Sequence, residues 1–153
     1  MSTIQIGVVM GSGFSAGFSA KGVTKANTVI AGVRLLRAES GNLASADDLH
    51  ATVSYETNPT DVVFWYARSD TGYDNARQID FFSVNAAGRG FRLYTDAKGK
   101  LDVRLGLAHR FERYGSPGQS SLTAPSADIG LLFSRELGWA AWDTSLNIVP
   151  SFL

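Results

Sequence analysis

The feature that most constrains this sequence is a strict alternation of apolar and polar residues. It is sharpest in the segment 101–112. There Leu101, Val103, Leu105, Leu107 and Phe111 occupy one set of alternate positions, and Asp102, Arg104, Arg110 and Glu112 occupy the other. Because successive side chains of a β-strand point to opposite faces of a sheet, this period of two predicts strands with one face apolar and the other polar.

The same pattern predicts nine strands joined mostly by short turns. They span roughly residues 3–10, 13–21, 28–39, 49–56, 62–69, 78–94, 101–112, 127–136 and 142–148. The polar segments 70–75 and 116–126 predict loops, Asp96–Gly99 predicts a hairpin turn, and Gly88 and Gly90 predict bulges or bends. For residues 43–51 a short helix is the alternative to a strand. We expect residues 1–153 to form one all-β domain, an antiparallel up-and-down meander closed into a small barrel of about 8–10 strands.

Composition excludes several classes of function. The 14 Lys and Arg balance the 14 Asp and Glu, and no basic stripe is present, so we expect no binding to nucleic acid. The absence of Cys excludes disulfide scaffolds and thiolate metal sites. His50 and His109 are not spaced as metal ligands. The Gly-x-Ser-x-Gly match at residues 13–17 lies within the predicted strand 13–21 and not at a turn from a strand to a helix, so we expect no nucleophile elbow. We therefore predict no catalytic, cofactor or metal site, and no enzymatic activity.

The alternation fits two architectures with opposite orientations. A soluble barrel or sandwich buries its apolar face, whereas a membrane barrel turns the apolar face to lipid and fills its lumen with polar groups. Here lysines lie only near strand ends and turns, and the polar faces carry small residues with balanced Asp, Glu and Arg. This composition favours a narrow, polar interior in which charges are paired. No segment approaches the 18 apolar residues of a transmembrane helix, and the first residues lack the basic region of a signal peptide.

The membrane interpretation assigns three sets of residues. The expected lumen network is Asp80, Arg92, Asp102, Arg104, Arg110, Glu112, Asp128 and Glu136. The expected lipid-facing set is Leu101, Val103, Leu105, Leu107, Phe111, Ile129, Leu131 and Phe133. The expected interfacial aromatic residues are Tyr66, Tyr94, Tyr114, Trp139 and Trp142. We interpret the lumen set as a structural network that fills the barrel, with a narrow polar path or a small-ligand site as the alternative.

Residues 62–115 resemble the bacterial salt-induced outer-membrane protein family, whose members are expected to form β-barrels of unknown function. An aromatic strand precedes an acidic loop, and a strand ending in Gly-x-Gly-aromatic-Arg follows. A short turn then leads to a strand of the form Leu-x-x-x-x-Gly-Leu that ends in Arg-x-Glu-Arg. In this chain these features are Trp65, Tyr66, Asp74, Asp80, Gly88, Gly90, Phe91, Arg92, Leu101, Gly106, Leu107, Arg110, Glu112 and Arg113.

The resemblance implies a Gram-negative outer-membrane location, a lipid bilayer as the partner, no enzymatic activity, and a structural or envelope-stress role. Family members usually open with a strand ending in Gly-Asn, which is not clear here, and continue with further hairpins past the position of Pro150. Nine strands also differ from the even number of bacterial single-chain barrels. Two alternatives remain: a soluble lipocalin-like barrel that binds a small apolar ligand, and a subunit that self-associates through open strand edges.

Overall fold

A computed structural model describes residues 2–10, 13–40, 43–57, 60–116 and 118–152. Nine strands form one sheet in these segments. They are β1 (Ser2–Met10), β2 (Gly13–Val23), β3 (Asn27–Ser40), β4 (Leu43–Thr57), β5 (Val63–Asp74), β6 (Ile79–Thr95), β7 (Gly99–Tyr114), β8 (Leu122–Glu136) and β9 (Ala141–Ile148). A 3-10 turn, Asn75–Arg77, joins β5 to β6. None of the described segments is a helix long and apolar enough to cross a membrane.

Each strand pairs antiparallel with its neighbours in sequence, so the predicted all-β antiparallel meander is confirmed. The predicted closure is wrong, because the sheet curls through 203° and forms a half-barrel. Within the described residues, no ladder joins β1 to β9. In a nine-strand meander the first and last strands run in the same direction, so the antiparallel pairing that joins all other neighbours cannot close this ring.

Several predicted boundaries differ from the structure because polar residues find partners within the sheet. The expected loop 70–75 is mostly strand, since β5 continues to Asp74 and the Thr71 hydroxyl donates to the Phe82 carbonyl at 3.0 Å. The strand β8 begins at Leu122, inside the expected loop 116–126. The whole of β4 is strand, so the helical alternative for residues 43–51 is wrong. The hairpin turn at 96–99 is confirmed by a hydrogen bond from the Asp96 N–H to the Gly99 carbonyl.

The glycines of β6 do not form the predicted bulges. Register shifts in β6 lie between Ile79 and Phe81 and between Arg92 and Tyr94, whereas the ladder is continuous through Gly88 and Gly90. Gly90 instead gives space to an aromatic ring, because a Cβ at this position would clash with the ring of Phe64. The missing side chain therefore allows an aromatic residue to be buried on this side of the sheet.

The two faces of the sheet have opposite chemistry. One face holds the buried residues, including Phe64, Tyr66, Ile79 and Phe82 together with several charged groups. Side chains from strands that are not neighbours meet there, as Arg104 of β7 meets Glu56 of β4. Such contacts across intervening strands identify this face as the concave one. The convex face carries the exposed apolar residues.

Candidate functional site

The first cluster on the concave face is centred on Asp128 of β8. The Tyr66 hydroxyl donates to Asp128 Oδ2 at 2.6 Å, and Arg68 Nη2 lies 2.5 Å from Asp128 Oδ1. Both partners are on β5, and β6 and β7 lie between the two strands in the sheet. The Asp128 side chain is fully buried, so its charge is balanced by the Arg68 guanidinium and its second oxygen accepts a hydrogen bond from the Tyr66 hydroxyl.

The second cluster pairs Arg104 of β7 with Glu56 of β4. The Arg104 guanidinium donates to the Glu56 carboxylate, and both side chains are buried. The guanidinium also lies 5.3 Å from the centre of the Tyr66 ring, a cation–π distance that joins this pair to the first cluster. Gly106 leaves room for the Tyr66 hydroxyl, because a Cβ there would lie 2.5 Å from it.

The third cluster lies towards the turn between β6 and β7. Arg92 Nε is 3.2 Å from Asp102 Oδ1, and Lys100 Nζ is 3.3 Å from Asp102 Oδ2. Arg92 also donates to the Asp61 carbonyl at 3.0 Å and lies 4.8 Å from the centre of the Phe64 ring. These contacts hold a fully buried carboxylate between two cations, next to the chain segment that enters β5.

The fourth cluster lies near the opposite end of β7. Arg110 Nε and Nη2 donate to Glu112 Oε1 at 2.9 and 2.5 Å, and the Tyr114 hydroxyl donates to Glu112 Oε2 at 2.5 Å. The three residues are alternate positions of one strand and therefore share the concave face. Arg110 and Tyr114 together donate hydrogen bonds to both oxygens of the buried Glu112 carboxylate.

The rest of the concave face is less filled. Gly17, Ser19, Gly32 and Thr52 line a space of about 1110 Å³ between the first strands and β9. At its border, His50 Nδ1 lies 3.1 Å from Asp70 Oδ1, and the imidazole is 4.9 Å from the centre of the Phe82 ring. In the described part of the chain, no group of three or more His, Cys, Asp or Glu side chains is arranged to hold a metal ion.

The convex face is apolar and exposed. Leu107 is 72% exposed, and Leu105, Ile129 and Leu131 are each more than 40% exposed. Leu101, Val103, Phe111 and Phe133 lie on the same face and are partly covered by their neighbours. Apolar side chains of β1 to β4 continue this face, among them Ile4, Ile6, Phe18, Val33 and Val53. A soluble monomer rarely exposes an apolar surface of this extent.

A comparison with protein families places this sheet among known sequences. The model of a family described as "Protein of unknown function, DUF481" matches residues 10–138, which is most of the chain. The chain belongs to the DUF481 family. No curated protein and no solved structure matches the chain. The DUF481 match spans β2 to β8 and therefore contains all four charged clusters.

The structure of this DUF481 chain places six of the eight expected lumen residues in the clusters on the concave face. They are Arg92, Asp102, Arg104, Arg110, Glu112 and Asp128. The other two are exposed at strand ends, which is a correction to the expectation. Asp80 lies at the register shift of β6, where the alternation is interrupted, and Glu136 is the last residue of β8, next to a turn.

The expected interfacial aromatics also need one correction. Tyr94, Trp139 and Trp142 are exposed near turns, and Tyr114 is half-buried at the end of β7. Tyr66 is only 3% exposed and points to the concave side, so its assignment to an interface is wrong. Its hydroxyl finds a buried carboxylate there, which allows the whole ring to leave the surface.

The sequence pattern alone did not assign Glu56, Arg68 or Tyr66 to the clusters on the concave face of this DUF481 chain. Their signal was present in the alternation. Arg68 and Tyr66 share the phase of Phe64 on β5, and Glu56 is on the polar side of β4. The polar face of a distant strand therefore holds the candidate partners of each charged residue.

Proposed function

We propose that this chain is an outer-membrane-type β protein of bacteria that embeds its convex face in lipid and has a structural or envelope-stress role. The observation that supports this proposal is the inverted distribution of polarity. Charged residues such as Asp102 and Asp128 are fully buried on the concave face, whereas Leu105 and Leu107 are exposed on the convex face. A sheet surrounded by water minimises its free energy with the opposite arrangement, because water favours charged over apolar surface.

The network on the concave side supports a structural rather than an enzymatic or transporting role. The carboxylates Glu56, Asp102, Glu112 and Asp128 each have a cationic partner. Buried charges arranged in such pairs fill space between strands and specify their positions. The resemblance of residues 62–115 to salt-induced outer-membrane proteins agrees with a role in the envelope.

The soluble lipocalin-like alternative has less support, because it requires an apolar cavity. The filled half of the concave face is occupied by ion pairs. The emptier half is lined mainly by Gly, Ser, Thr, Asn, Arg, His and Asp, and the apolar residues that also border it are Ile4, Ile6, Phe18 and Val33. Self-association has one specific observation in its favour. In the described residues β1 and β9 each pair on only one side, and a bilayer strongly disfavours unpaired strand edges.

The first test is refolding of the chain in plain buffer and in detergent micelles or phosphatidylcholine vesicles. We expect a folded species only with detergent or lipid. This species should migrate differently on a gel before and after boiling. Light scattering of that species gives the number of chains, and a dimer or larger oligomer would support edge pairing. A monodisperse, folded monomer in plain buffer would contradict the proposal.

A pair of substitutions tests the orientation of the sheet. Leu107 lies mid-strand on β7, whereas Leu93 is exposed near the end of β6. Leu107→Arg should destabilise the protein in lipid by about 2–4 kcal/mol, and the matched Leu93→Arg by about 0–1 kcal/mol, because the cost of a cation rises towards the bilayer centre. Equal tolerance of both substitutions would oppose lipid contact at Leu107.

A further inference from the structure

A groove crosses the convex face between β4 and β7. Its floor is formed by Ala67 and Ala87, which are directly paired on β5 and β6. Val53 and Tyr55 form one wall, and Leu107 forms the other. The groove has a volume of about 600 Å³, which is within the range of small-molecule sites. Its apolar walls and small floor residues fit an extended hydrocarbon chain.

A cation lies next to one end of this groove. Arg89 is the next residue on the same face of β6 after Ala87, and it is exposed. Its guanidinium lies 4.6 Å from the centre of the Trp65 ring, which directs it along the protein surface. A cation on a face that contacts lipid is unfavourable unless an anion accompanies it.

The opposite end of the groove is polar. Ser69, Asn85 and His109 are directly paired across β5, β6 and β7 and line the groove there. Asn85 Nδ2 donates to the Ser83 hydroxyl at 2.8 Å. The groove therefore offers a cation at one end, an apolar middle and polar side chains at the other end.

We propose that this groove binds an anionic lipid, with the phosphate at Arg89 and an acyl chain over Ala67 and Ala87. The inference rests on the proposed function, because it requires the convex face to be in a bilayer. A second copy of the chain fits the site less well. No Asp or Glu is among the described residues that line the groove, so the same surface of a partner brings no counter-charge to Arg89.

The experiment uses the refolded full chain in nanodiscs of phosphatidylcholine containing one-fifth phosphatidylglycerol, followed by native mass spectrometry. We expect phosphatidylglycerol to be retained in preference to phosphatidylcholine by the unaltered chain. Arg89→Gln should reduce that preference by about fivefold, and Ala87→Leu, which fills the floor, should reduce total lipid retention. Inorganic phosphate at millimolar concentration should not displace the lipid, because it cannot occupy the apolar groove.

Two matched variants serve as controls. Arg113→Gln removes an exposed arginine at the far end of β7, and Ala127→Leu enlarges the convex residue that pairs with Leu107 on the side away from the groove. Both should retain phosphatidylglycerol as the unaltered chain does.

The outcomes separate this inference from the proposed function. Failure of the unaltered chain to insert into any bilayer would overturn both. Insertion with equal retention of the two lipids by all variants would overturn the lipid site alone. Displacement of the lipid by inorganic phosphate would assign Arg89 to a simple anion site. A lipid-free dimer of the protein would assign the groove to a second copy if Ala87→Leu dissociates that dimer. Either result would overturn the proposal.

Discussion

Tyr66 and Asp128 are 62 residues apart in sequence, yet the Tyr66 hydroxyl donates a 2.6 Å hydrogen bond to the Asp128 carboxylate. The bond crosses the concave face, from β5 to β8, over two intervening strands. Arg68 completes the neutralisation of the same carboxylate. This contact therefore depends on the curvature of the sheet, and its strength reports on how well the curl is maintained.

We expect Tyr66→Phe to destabilise the folded protein by about 1–3 kcal/mol, because it removes one donor from a buried carboxylate. Asp128→Ala should cost about 3–5 kcal/mol, since it leaves Arg68 without its counter-charge. The measurement is urea unfolding in detergent micelles, followed by tryptophan fluorescence. The double variant tests coupling: because the two groups are in contact, its effect should differ from the sum of the single effects by about 0.5–3 kcal/mol. Additive effects would contradict the contact.

The pair Glu56 and Arg104 predicts a different pattern of destabilisation. Arg104→Met or Glu56→Leu alone should cost about 3–5 kcal/mol, because each leaves a buried partner unpaired. The double replacement should recover most of this loss, since a buried ion pair exchanged for apolar residues is often neutral. The same unfolding measurement applies, with Arg113→Gln as a control at an exposed position. If the double variant is as unstable as the sum of the two single variants, the pair is not the main interaction of either residue.

Gly90 and Gly22 offer a matched comparison of two strand glycines. Gly90→Ala places a methyl group against the ring of Phe64, whereas an added Cβ at Gly22 has no heavy atom within 4 Å apart from its chain neighbours. We expect Gly90→Ala to cost about 1–3 kcal/mol through overpacking and Gly22→Ala to be nearly neutral. Adding Phe64→Leu to Gly90→Ala should restore part of the loss, and no recovery would oppose direct contact between these two residues.

The alternation of the sequence predicted the two faces of the sheet and the side on which Asp102, Arg104, Arg110 and Glu112 of β7 lie. It did not predict which charges meet. Glu56 and Arg104 are 48 residues apart, and their contact depends on how far the sheet curls across β5 and β6. The alternation of apolar and polar residues carries no information about that curvature. The closed barrel was expected for the same reason. Tyr66 was misassigned from its residue type, although its phase on β5 already placed it with Phe64 and Arg68.

Hydrogen bonds in the hairpin turn between β6 and β7 predict that the stability of the protein depends on pH. The Tyr94 hydroxyl and the backbone N–H groups of Lys98 and Gly99 donate to the Asp96 carboxylate. These hydrogen bonds, that from Tyr94 above all, hold the pKa of Asp96 below its ordinary value of 3.8. A carboxyl with a lowered pKa in the folded state stabilises the fold at pH values above 3.8. That contribution is lost as the pH falls through the lower, folded-state pKa.

We therefore expect the unaltered chain to lose stability relative to Asp96→Asn as the pH is lowered from about 5 to about 2. The difference in unfolding free energy between the two proteins should be greatest above pH 4 and shrink in acid, because only the carboxylate form of Asp96 carries the advantage. Tyr94→Phe should remove the largest part of the same pH dependence and leave the contribution of the two backbone donors. Parallel pH profiles for the unaltered chain and Asp96→Asn would show that the turn does not bind the carboxylate as described.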